Sequence, residues 1–157
     1  MRINLICIGK TDDKEIISLI KYYLARIPKH WNFEIVEIPD VKNAKNFSPD
    51  SLKKEEAKLF LNHMDSSDLT ILLDEKGKQF TSREFSEKID LWQGNSVKKI
   101  NFLIGGAYGF SEEIYNKANE KISLSKMTFT HQMIRLFFVE QIYRAATILQ
   151  GKPYHND

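Results

Sequence analysis

Phe102-Leu-Ile-Gly-Gly-Ala-Tyr-Gly-Phe110 is an apolar run that halts at a glycine pair. Three apolar residues in a row, Phe102, Leu103 and Ile104, mark an interior parallel strand covered on both faces. Gly105 and Gly106 let its C-terminal end open into a tight turn. In open α/β sheets, ligands sit at that edge. Downstream comes a short strand at Ile122 to Leu124, then Ser125 to Thr130, then a long helix rich in Met133, Ile134, Leu136, Phe137, Phe138, Val139, Ile142, Tyr143, Ala145, Ala146, Ile148 and Leu149. Such a helix has almost no polar face and must be covered on all sides. It has the length of a membrane span, but Arg135, Glu140 and Arg144 fall in its middle, so a place in the core and at a subunit interface fits better.

Upstream, strands and helices alternate. Ile3 to Ile8 reads as a strand ended by Gly9, and Asp12 with Glu15 resembles a capping box for a helix whose inner face is Ile16, Ile20, Leu24 and Ile27. Phe33 to Ile38 is a second strand, and 40–48 a polar surface loop. Ser48-Pro49 starts the next helix, with Leu52, Leu59 and Phe60 inward and Lys53, Lys54, Glu55, Glu56 and Lys58 outward. A strand over Leu69 to Leu73 ends in Asp74-Glu75-Lys76-Gly77-Lys78, and Thr81 with Glu84 caps the helix after it. Ser111 opens a short helix through Asn119. The sum is an α/β fold, a mostly parallel sheet with helices on both faces.

The chain has 157 residues, 42% hydrophobic and 28% charged, the size and make-up of one ordinary globular domain. Its net charge of +2 means that any nucleic-acid partner is held by local patches or by two subunits' pooled surfaces. The one cysteine, Cys7, allows neither a disulfide framework nor a thiolate metal site. No metal-ligand cluster stands out. The opening residues have no signal-peptide pattern, and a cytoplasmic location is expected.

Three segments follow strands: the one after Leu73, the turn from Gly105 to Gly109, and Ser125 to Thr130. In a parallel sheet they share an edge and can converge on one small molecule. The glycines let a backbone approach that ligand, although a plain tight turn also uses them. Dinucleotide and phosphate-loop fingerprints are absent, which weakens a nucleotide-binding oxidoreductase.

Taken together, Asp74-Glu75-Lys76-Gly77-Lys78, Ile104-Gly105-Gly106, Leu124-Ser125-Lys126-Met127-Thr128, His131-Gln132, Arg135, Glu140-Gln141, Tyr143-Arg144-Ala145 and Pro153-Tyr154-His155 resemble the SPOUT class of methyltransferases. Within it they are similar to the family that methylates ring nitrogen N3 of a pseudouridine in large-subunit (23S) ribosomal RNA. The resemblance covers nearly the whole chain. It implies S-adenosyl-L-methionine as cofactor, a homodimer, a C-terminal trefoil knot, and large-subunit rRNA or the assembled ribosome as partner, with no membrane and no DNA. It places cofactor contacts at Leu73, Gly105, Leu124, Ser125, Lys126, Met127, Thr128 and Phe129. A departure is Thr130, where the family commonly has proline; threonine can cap the helix instead. Tyr108 stands where relatives often carry an acid or amide, and receives no catalytic role.

The tail Gly151-Lys152-Pro153-Tyr154-His155 holds a cation, a ring and an imidazole, suited to phosphate contact, base stacking and proton handling. Its bland alternative is a frayed terminus. On the family resemblance His155 is the candidate base, Tyr154 its positioning ring, and Arg144 a contact to RNA or to a partner subunit, with His131 next in line as base. A non-catalytic ribosome-associated RNA-binding module remains the alternative. Arg135 and Arg144 have a plainer reading too, as partners of Glu140 or of a helix end. His30 and His63 read as surface residues, Trp31 and Trp92 as packing.

Overall fold

The computed structural model describes residues 1–156. Five parallel strands, β1 (Arg2–Ile8), β2 (Phe33–Ile38), β3 (Leu69–Gln79), β4 (Lys99–Ile104) and β5 (Glu120–Ser123), form one sheet in the order β2-β1-β4-β3-β5. Helices α1 (Lys14–Leu24), α2 (Pro49–Leu61), α3 (Ser82–Gly94), α4 (Glu112–Lys117) and α5 (His131–Leu149) cover both faces.

Alternation along each strand sorts the core into two layers. Ile3, Leu5 and Cys7 of β1, Ile71 and Leu73 of β3, and Ile100, Phe102 and Ile104 of β4 join α1, α3 and α5. Ile6, Leu72 and Leu103 face α2 and α4. The larger layer centres on Phe138 of α5, whose ring lies 4.6 Å from that of Phe102. Both are fully buried, so truncating either to alanine costs about 3–5 kcal/mol. Trp31 and Trp92 are buried in this layer, while His30 and His63 are exposed.

The apolar helix α5 is flanked by α1 and α3 and lies against the sheet, which disposes of most of its hydrophobic surface. Phe137 and Leu149 stay exposed on its outer side. No helix among the described residues is long and apolar enough to cross a membrane. Thr130 caps α5, accepting from the Met133 N–H at 3.2 Å. At its other end Gly151, at φ +62°, closes the helix: its N–H donates to Ile148 and that of Lys152 to Thr147.

Four local expectations change. The side chain that caps α1 belongs to Asp13, not Asp12, and accepts from Ile16 N–H at 2.9 Å. The last strand spans Glu120–Ser123, which leaves Leu124 in the loop beyond it. The polar stretch after Leu73 is strand, because β3 resumes pairing with β5 at Lys78 and Gln79 after a shift of register. A Cβ at Gly77 would come within 2.6 Å of the Ile122 backbone, so only glycine lets β5 lie so close. Glu56, expected outward on α2, is buried instead.

Candidate active site

β3, β4 and β5 are neighbours, and Leu73 is in register with Ile104 on one side and Ile122 on the other. At that level the Leu73–Lys76 stretch of β3 and the segments that follow β4 and β5 lie side by side and enclose a cavity of about 480 Å³. This is the convergence expected of a parallel sheet.

The middle segment is a closed turn. Gly109 N–H donates to the Gly106 carbonyl at 3.0 Å, and Gly109 takes φ +77°, a backbone region that other residues enter at a cost. A Cβ on Gly105 would stand 3.1 Å from the Gly109 main chain, so any side chain there would push the turn back by a few tenths of an ångström. Tyr108 is exposed at the rim.

The segment after β5 is held by its own serines. Ser123 Oγ donates to the Ser125 carbonyl at 2.8 Å, and Ser125 Oγ accepts from Met127 N–H at 2.9 Å. Leu124, Ser125, Met127, Thr128 and Phe129 line the cavity; Lys126 is exposed and stands outside the lining. Phe129 stacks at 4.8 Å on Phe137. His131 and Ile134, one helical turn apart on α5, complete that wall.

Asp74 forms the floor. Its carboxylate accepts from the Tyr115 hydroxyl and, at 2.8 Å, from Lys76 N–H. Burial first, and then the Asp74 hydrogen bond, push the Tyr115 phenol well above the usual tyrosine range, so it stays a donor. Tyr115 is a site residue that no local pattern could reveal, since α4 and β3 meet only in the fold. Ile134 was within reach of the helical spacing from His131.

The tail residues form a second cluster. Arg144 binds Glu140 through Nη2 at 2.5 Å and Nε at 3.1 Å, Tyr154 Oη donates to the same carboxylate at 2.9 Å, and Gln141 Nε2 donates to it at 2.7 Å. Glu140 holds the Arg144 guanidinium above its ordinary pKa. Arg144 Nη1 lies 3.1 Å from His155 Nδ1. A guanidinium only donates, so Nδ1 is the acceptor there and the ring proton sits on Nε2. Tyr154 also packs 4.7 Å from Tyr143, and both it and His155 are half-buried, which removes the frayed-terminus alternative for these residues. Burial, then Tyr23 and Glu140, raise the Tyr154 phenol.

None of Arg144, Tyr154 and His155 lines the cavity. His131 and Arg144 lie thirteen residues apart on one helix, about 20 Å along its axis. Arg135 proves structural: it is buried, and donates to the Ile8 carbonyl at 2.7 Å and Thr11 Oγ1 at 2.9 Å, tying α5 to the end of β1.

Comparison with known proteins agrees with this architecture. The profile of a family described as "Predicted SPOUT methyltransferase" matches residues 1–155. The chain belongs to the SPOUT methyltransferase family. Proteins named "Ribosomal RNA large subunit methyltransferase H" include one from Christiangramia forsetii, 53% identical over 99% of both chains. Another, from Parabacteroides distasonis, is 50% identical over the full length of both. A solved structure titled as a probable methylase family protein from Haemophilus influenzae shares the fold, with a TM-score of 0.57 over 99% of this chain and 70% of that one, at 12% identity. For a SPOUT methyltransferase the C-terminal segment is a trefoil knot, an exception to the rule that chains do not thread loops, and family membership sets aside the oxidoreductase reading.

Proposed function

We propose that this SPOUT methyltransferase transfers a methyl group from S-adenosyl-L-methionine to ring nitrogen N3 of a pseudouridine in large-subunit rRNA, acting on the ribosome as a cytoplasmic homodimer. The observation that carries the reading is the cavity of three strand-end segments in a chain about half identical, end to end, to proteins named for that reaction class.

The cavity suits the cofactor. Its volume falls within the range of small-molecule sites. Leu73, Leu124, Phe129 and Ile134 offer apolar walls to an adenine ring, and the backbone at Gly105 and Gly106 offers close polar contacts. Lys126, between the lining residues Ser125 and Met127, remains part of the proposed cofactor contact. Bound S-adenosylmethionine supplies an electrophilic methyl on a sulfonium sulfur. The protein's task is then to align the target nitrogen with that methyl and to take the imide proton.

His155 is the proposed base and Tyr154 the ring that positions the target. In the isolated protomer His155 Nδ1 already accepts from Arg144. A phosphate that drew Arg144 away would release that lone pair, which gives Arg144 a role in RNA recognition and in proton handling together. Because Arg144 sits about 15 Å along α5 from Ile134, the cavity residue nearest to it on that helix, the reading calls for a second protomer. A homodimer packed through the outer side of α5, where Phe137 and Leu149 are exposed, would let one subunit's tail meet the other's cavity.

Titration calorimetry tests the reading. The protein should bind S-adenosylmethionine and not NAD, and sedimentation should give a dimer at micromolar concentration. A monomer without cofactor affinity would refute it. Loss of methyl transfer with ribosome binding retained would leave the RNA-binding module standing.

A further inference from the structure

Glu56 is an acid on the inward face of α2, one turn from Leu52 and one from Phe60, and it is buried with them, with 7% of its surface exposed. Its carboxylate lies behind the glycine turn of the cavity. A Cβ at Gly106 would collide with it, within 2.7 Å of Cδ, and the Gly106 backbone N–H stabilises its charge. Glu56 itself does not line the cavity, whereas Gly105 to Phe110 all do. One turn further along α2, Phe60 packs on Phe110 at 5.8 Å, so the same helix grips the turn at both ends. Burying a carboxylate is costly unless polar groups hold it, and here the main chain of the turn at Gly106 lies directly against it.

We propose that Glu56 is a positioning residue for cofactor binding: its ionised carboxylate braces the Gly105–Gly109 turn from the side opposite the ligand. The proposal rests on the cavity being the S-adenosylmethionine site. Its chemistry makes the brace sensitive to protons. Burial raises the Glu56 carboxyl above the ordinary glutamate range; the Gly106 amide opposes that rise and Asp40, following β2, adds to it. On the surrounding elements Lys53 pairs with Asp50 and Lys58 with Glu55 on α2, and Lys117 with Glu113 on α4, while Lys54 of α2 and Glu112 of α4 add one charge of each sign. A ligand that orders the turn favours the ionised form, so cofactor affinity should fall as pH drops through the raised pKa of Glu56.

The test is calorimetry with S-adenosylmethionine from about pH 8 down to about pH 4.5, near the ordinary glutamate value, on wild type, Glu56→Ala and Glu56→Gln. Glutamine accepts from the Gly106 N–H through its amide oxygen but carries no titrating charge. The proposal expects Glu56→Ala to bind at least about fivefold more weakly at the higher pH. Glu56→Gln, neutral at both pH values, should bind more weakly than wild type at the higher pH, though less so than Glu56→Ala, and should lose part of the acid-side weakening. A wild type that binds no cofactor overturns the site reading itself. A wild type that binds, with Glu56→Ala binding equally well, overturns the brace alone. If Glu56→Ala does not fold, Glu56→Gln decides: a pH slope unchanged from wild type overturns the proposal.

Discussion

The Tyr115 hydroxyl donates to the Asp74 carboxylate across 41 residues of chain, and this contact joins α4 to β3 at the floor of the cavity. Tyr115→Phe removes the donor and leaves a half-buried carboxylate one partner short. The expected loss is about 1–2 kcal/mol of stability, with weaker cofactor binding and an intact fold. Thermal melting beside calorimetry checks this, and unchanged values in both would deny the contact any part in the site.

Gly77→Ala should be far more damaging than an exposed polar segment suggests. The new methyl would meet the Ile122 backbone, which has no side-chain freedom to yield. We expect a loss of about 2 kcal/mol or more, a drop of roughly 4–8 °C in Tm. Cofactor binding should weaken too, because β5 carries the Ser123–Phe129 wall. A Tm equal to wild type would mean that β3 and β5 do not pair as described.

Those two sites illustrate what the sequence made legible. Caps at Ser48, Thr81 and Thr130 could be read because each is a local contest for a helix's first N–H groups. Convergence of the three segments followed from parallel strands alone. What could not be read depends on partners distant in sequence. Asp74 to Lys78 looks like a loop because its order comes from β5 and from the missing side chain of Gly77. Glu56 looks like one more surface charge until the Gly106 main chain is set against it. Arg135 reads as a partner of Glu140 or of a helix end, and is instead consumed by the end of β1.

Alkaline stability should depend on Cys7. Burial raises its thiol to about 11 from 9.0, with Arg135 opposing and Glu37 adding to the rise. The unfolded chain therefore ionises first, so this contribution is intact below about pH 9 and is lost as pH climbs toward 11. Two pKa units correspond to roughly 2–3 kcal/mol. Cys7→Ala should be less stable than wild type at neutral pH because of the lost packing, and the gap should narrow above about pH 9. A gap constant with pH in denaturant melts would contradict this.

Deleting residues 153–157 should separate binding from chemistry. None of the described residues among them lines the cavity, so S-adenosylmethionine affinity should stay within about twofold. Methyl transfer should fall by roughly 10²-fold or more if a general base is lost. His155→Ala should reproduce most of that loss. Full transfer by the truncated protein would move the base elsewhere, with His131 at the cavity wall the next candidate.

The central claim is methyl transfer to large-subunit rRNA, and mass mapping of that RNA tests it most directly. Ribosomes from cells lacking this protein are incubated with it and S-adenosylmethionine, and the rRNA fragments are weighed. The account predicts one added methyl group, confined to a single pseudouridine-containing fragment of the large-subunit RNA. Fragments of unchanged mass, from a protein that binds the cofactor, would contradict it.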